Sequence, residues 1–99
     1  FRRLGSGDEL TARNVTINER TMTVTIDGKP AALSNMEFKL LAYLVRHAGS
    51  VISRDKLLTA VWGYDEGETR TVDIHIARLR KLGVQGIETV FGAGYKFSK

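Results

Sequence analysis

Thr69–Gly83, TRTVDIHIARLRKLG, is the stretch whose reading decides the fold. At about 100° per residue, Val72, Ile76, Leu79 and Leu82 share one side of a helix. Arg70, Ile74, Ala77, Arg78 and Lys81 line the other side, at i, i+4, i+7, i+8 and i+11. An ordinary solvated face mixes Glu with Lys and carries no isoleucine at its centre. This stripe holds two Arg, one Lys, a small Ala and an Ile that the core does not claim. Arginine forks can read guanine edges in the major groove, and Ala or Ile can meet a thymine methyl. The spacing therefore predicts a helix from near Thr69 to Gly83 that lies in double-stranded DNA.

The flanking sequence predicts the scaffold. On the N-terminal side, Ser53 caps a helix over residues 54–62, with Asp55 in its first turn and Leu57, Leu58 and Val61 facing inward. Gly63 ends it. On the C-terminal side come Ile87–Val90, a turn at Phe91-Gly92-Ala93-Gly94, and Tyr95–Ser98, a glycine-tipped hairpin. Helix, connection, helix and hairpin is the order of a winged helix-turn-helix. The fold class expected is α+β.

Further upstream, Ser34-Asn35-Met36-Glu37 reads as a capping box that opens a helix running to about Ala48. Phe38, Leu41, Ala42, Val45 and Ala48 fall at helical spacing, and Leu40 and Leu44 widen that stripe enough to pack on two sides. Before it, Glu9–Asn18 and Met22–Ile26 alternate with a period of two, with Val15 and Ile17, then Met22, Val24 and Ile26, on the inner face. Asp27-Gly28 signals a type I′ hairpin turn, and Pro30 places the returning strand, Lys29–Leu33, near an edge. Val51-Ile52 reads as one more short strand. Residues 1–8, with Arg2-Arg3 and Gly5-Ser6-Gly7, read as a linker remnant, so the folded domain is expected over residues 9–99.

Ninety-nine residues with 42% apolar content bury a real core without a staple. There is no cysteine, which excludes a disulfide framework or thiolate site and fits the cytoplasm. No apolar run approaches a membrane span. The net charge of +4 is unevenly spread: residues 70–82 hold four basic side chains and one acid, Asp73, whereas Tyr64-Asp65-Glu66-Gly67-Glu68 is acidic. His47 and His75 have no spaced metal-binding partner, and no nucleophile–base pair can be assembled, so neither metal, cofactor nor enzymatic activity is expected. Gly92-Ala93-Gly94 is read as a tight turn, not a phosphate loop, because a strand follows it.

Four blocks in order resemble the effector domain of OmpR/PhoB-type response regulators. They are Ser34-x-x-Glu37-Phe38-x-Leu40-Leu41; Ser53-Arg54-x-x-Leu57-Leu58-x-x-Val61-Trp62-Gly63; Arg70-Thr71-Val72-Asp73-Ile74-His75-Ile76-x-Arg78-Leu79-Arg80-Lys81; and Glu88-Thr89-Val90-x-Gly92-x-Gly94-Tyr95-Lys96-Phe97. The match covers residues 9–98. The resemblance implies a four-stranded N-terminal antiparallel sheet, three helices and a C-terminal β-hairpin wing. It implies a monomer that pairs in tandem on direct repeats of DNA, an upstream receiver domain phosphorylated on Asp, and contact with RNA polymerase through Gly63, Tyr64, Asp65, Glu66, Gly67 and Glu68.

Residue by residue, the resemblance gives Arg78 to base reading and Ile74 to thymine methyls. It gives Arg70, Thr71, His75, Arg80, Trp62, Thr89 and Tyr95 to phosphates, and Lys81 completes the stripe. For Arg80, pairing with Asp73 competes with a phosphate. His75 lies at the border of the apolar face, where a satisfied boundary histidine is the competing reading. Trp62 is read as mostly core. Two departures stand out: Ala77 replaces a polar or basic residue, and Phe91 stands where the wing often has an Arg. Minor-groove arginines favour narrow A·T tracts, so the wing's readout is in question. A winged-helix activator without a receiver domain shares the sequence features, as does a winged helix that binds protein through its acidic loop.

Overall fold

Local turn chemistry divides the N-terminal third into strands. The structure, a computed structural model, describes residues 9–63 and 68–98. Arg13 takes a left-handed φ of 56°, so the first alternating run is two strands, β1 (Glu9–Ala12) and β2 (Val15–Asn18), not one. Strand β3 (Thr23–Ile26) begins only after Met22, whose φ of 57° belongs to the preceding turn. Met22 is accordingly exposed and does not share the buried face with Val24 and Ile26. Asp27 and Gly28, with φ of 56° and 78°, make the expected positive-φ turn into β4 (Lys29–Ala31). The four strands pair antiparallel in chain order, which leaves Pro30 on an edge. Val15, Ile17, Val24 and Ile26 turn inward.

Helix α1 (Asn35–Arg46) starts at the capping box. The Ser34 hydroxyl accepts from the Glu37 backbone N–H at 3.2 Å, and Glu37 Oε1 accepts from the Ser34 N–H at 3.0 Å. Phe38, Leu40, Leu41, Ala42, Leu44 and Val45 are all buried, the two-sided packing its composition predicts. The helix touches β1 and, further along the chain, residues Leu58–Trp62, Arg70–Lys81 and Gly94–Phe97. Strand β5 (Val51–Ile52) follows, then α2 (Arg54–Leu57), capped by Ser53.

The expected uninterrupted α-helix to Trp62 is not found. Residues Leu58–Trp62 form a π-helical turn, with the Gly63 N–H shared between the carbonyls of Leu58 and Thr59 at 3.1 Å each. Helix α3 (Arg70–Lys81) buries Val72, Ile76 and Leu79 completely or nearly so. Each such side chain contributes about 1.5–3 kcal/mol, which fixes the helix's rotation. Leu82, expected on that face, is 45% exposed because the helix has ended and the chain turns at Gly83 (φ 107°).

Strands β6 (Ile87–Val90) and β7 (Gly94–Phe97) form the hairpin wing, and β5 pairs with β7 to give the order β5-β7-β6. Gly94 permits that pairing: a Cβ there would lie 2.0 Å from the Ile52 carbonyl oxygen, and φ is 140°. Asn14, in the β1–β2 turn, ties the two sheets' surroundings together. Its side-chain amide donates to the Gly83 carbonyl at 2.8 Å, and its oxygen accepts from the Gln85 N–H at 3.0 Å. Among the described residues, no helix is long and apolar enough to cross a membrane.

Candidate nucleic-acid interface

Burial of Val72, Ile76 and Leu79 turns the opposite stripe of α3 outward. Arg70, Ile74, Ala77, Arg78 and Lys81 are all exposed. Ile74 is 47% exposed in the middle of this stripe, an apolar side chain with cations on either side along the helix. Phosphates attract the cations, and a groove wall can bury the isoleucine.

The acid within this helix, Asp73, is matched by a cation. Asp73 in the first turn of α3 receives the Arg54 Nε–H at 3.1 Å and the Tyr95 hydroxyl at 2.7 Å, both on Oδ1, and Arg54 Nη2 on Oδ2. One carboxylate thus joins the start of α2, the start of α3 and the wing. Arg80 does not pair with Asp73. Its Nη2 donates to the Ile87 carbonyl at 3.0 Å and to Thr89 Oγ1 at 2.9 Å, and the guanidinium lies 5.9 Å from the Tyr95 ring centre. Arg80 therefore docks the wing on α3.

Tyr95, which the resemblance gives to a phosphate, is 7% exposed, and its hydroxyl donates to Asp73. Burial first, then the hydrogen bond to Asp73 and that carboxylate's charge, pushes its phenol up to about 12. At the outer strand of the wing, Glu88 accepts from the Ser98 hydroxyl at 2.6 Å, the main cause of its lowered carboxyl, and pairs with Lys96.

His75 packs edge-on to Trp62, with ring centres 4.9 Å apart, and its Nδ1 lies 2.8 Å from the Thr71 carbonyl oxygen. A carbonyl only accepts, so Nδ1 carries the hydrogen and Nε2 is the nitrogen left for an outside partner. Trp62 is half-buried against the core, as expected. Thr71 is half-buried, and Thr89 is exposed with its oxygen accepting from Arg80. Phe91, at the wing tip, is 93% exposed and docks on none of the described residues. Between the wing turn and the starts of α2 and α3 lies an open cleft of about 540 Å³, lined by Arg54, Thr69, Asp73, Thr89, Phe91 and Tyr95. Tyr64, Asp65, Glu66 and Gly67 of the expected polymerase loop lie outside the described residues, as do residues 1–8.

Residues 28–97 match the family described as "Transcriptional regulatory protein, C terminal". The chain belongs to that family. It is the effector type found in OmpR/PhoB response regulators, a family of transcriptional regulators. The heme response regulator HssR of Staphylococcus aureus is 40% identical over 99 residues, covering 94% of this chain and 44% of the relative. The chain thus spans less than half the length of that relative. The DNA-binding domain of Klebsiella pneumoniae RstA, solved in complex with the RstA box, superposes with a TM-score of 0.79 at 35% identity, covering 91% of this chain and 96% of that one. The response regulator DrrB of Thermotoga maritima, an OmpR/PhoB homologue, gives 0.82 at 33% identity, over 93% of this chain and 45% of its own.

In this effector domain, the sequence reading missed three contributors. Arg54 and Asp73 form a link that spans 19 residues of sequence, and Asn14 reaches 69 residues to Gly83. Only one local signal pointed to the first: an acid isolated in the first turn of a basic helix.

Proposed function

We propose that this domain binds double-stranded DNA sequence-specifically, as the output domain of a two-component response regulator. The outward stripe of α3 carries the proposal, because it combines base-reading and phosphate-binding side chains on a face the core leaves free. Arg78 reads guanine edges and Ile74 meets thymine methyls. Arg70, Lys81, Thr71, Thr89, Trp62 and His75 bind phosphates. Arg80 and Tyr95 act indirectly by fixing the wing against α3. Phosphates supply most of the affinity and bases most of the specificity. The RstA domain's complex with its box supports this reading.

The resemblance to response regulators supports the remaining roles proposed. Residues 1–8 are a linker from an upstream receiver domain, two copies bind direct repeats in tandem in the cytoplasm, and Gly63–Glu68 faces RNA polymerase. A single copy binds weakly, and occupancy of adjacent half-sites raises effective concentration. Selection of bound sequences from a pool of random duplexes, at two salt concentrations, tests the proposal. Enrichment of a direct repeat spaced by about one helical turn is expected. Salt-sensitive binding without enrichment contradicts specific recognition, and the absence of salt-dependent binding contradicts DNA binding altogether.

A further inference from the structure

Glu37 is the one charged side chain buried among the described residues, at 7% exposure. A buried carboxylate is strongly destabilising unless hydrogen-bond donors and a counter-charge meet it. The capping box supplies the first: Oε1 accepts the Ser34 N–H at 3.0 Å. The second comes from α3, where Arg78 Nη1 lies 3.6 Å from Oε2. That distance is too long for a hydrogen bond, so the contact is an ion pair acting through space. The Arg78 side chain is 60% exposed, and a pair so open to water is weak. It biases where the guanidinium rests without locking it.

We infer, on the DNA-reading role proposed for Arg78, that Glu37 is a positioning residue which orients the Arg78 fork for base recognition. With Nη1 turned to the carboxylate, the Nε–Nη2 edge of the fork remains open. That edge presents two parallel donors, the pattern that guanine O6 and N7 accept. A base contact keeps the ion pair, whereas swinging the guanidinium to a phosphate breaks it and strands a buried charge. Glu37 thus lowers the ordering cost of the correct contact and penalises the non-specific one. The capping box thereby couples the start of α1 to the reading face of α3.

Glu37→Gln separates the two roles, because a glutamine carbonyl still accepts the Ser34 N–H in a capping box while the charge is removed. Affinities are measured for a direct-repeat duplex enriched from the random pool and for an unrelated duplex of equal length. The cognate-to-unrelated ratio is expected to fall roughly two- to fivefold, with little further fall when Glu37→Gln is added to Arg78→Ala. Ser34→Ala, a loss of cap alone, is expected to lower Tm and leave the ratio unchanged. An unchanged ratio in Glu37→Gln overturns the inference. So does an equal fall in the Arg78→Ala background, or an equal fall in Ser34→Ala. Failure of the parent domain to bind DNA in a salt-dependent way overturns the DNA-binding proposal itself, and this inference with it.

Discussion

Arg70 and Arg78 share the exposed stripe of α3, yet their roles differ in kind. Arg70, at the first helical position, is proposed to meet a phosphate, and a phosphate carries no sequence information. Arg70→Ala is therefore expected to weaken binding equally on all duplexes and to make the salt slope shallower by about one unit. An unchanged slope removes Arg70 from the phosphate contacts. Tyr95 acts through protein instead. Its phenol, raised from 10.0 to about 12, holds its proton more tightly in the folded domain than in the unfolded chain. The stability this contributes is complete below pH 10 and is lost as pH rises through about 12. In an absorbance titration of the three tyrosines, Tyr95 is expected to ionise last, and Tyr95→Phe to abolish that final step. Persistence of the step in the variant contradicts the hydrogen bond to Asp73.

Among the elements, the wing depends most on a single backbone approach. At Gly94 a Cβ would meet the Ile52 carbonyl oxygen at 2.0 Å, and neither backbone can yield without opening the β5–β7 pair. Gly94→Ala is expected to cost about 3 kcal/mol or more and to lower Tm by more than about 10 °C in thermal denaturation. A Tm within a few degrees of the parent would show that the wing sheet can part from β5. The same elements show what the sequence made legible. Caps and turns are local chemistry, so Ser34–Glu37, Asp27-Gly28 and Gly83 marked their boundaries directly. Apolar period placed Val72, Ile76 and Leu79 inward. Met22 and Leu82 broke the pattern because each lies just beyond its element, where periodicity no longer governs exposure. The π turn at Leu58–Trp62 carried no local signal, nor did the partners of Arg80, since both depend on packing against distant segments.

For the whole molecule, the N-terminal sheet and α1 form a base on which α3 and the wing are held at a fixed spacing. Asn14 fastens the sheet to the end of α3, while Asp73 and Arg80 fasten α3 to the wing. Positively charged side chains thereby project from one frame; in the proposed DNA-binding role, affinity comes mostly from phosphate contacts and specificity from few side chains. In that proposed role one of those side chains, Arg78, reads base sequence. Its most direct test is the affinity of Arg78→Ala for the selected duplex and for an unrelated one. Arg78→Ala is expected to lose about 1–3 kcal/mol of discrimination, with the loss confined to the selected duplex. Cognate binding that stays within twofold of the parent would contradict it.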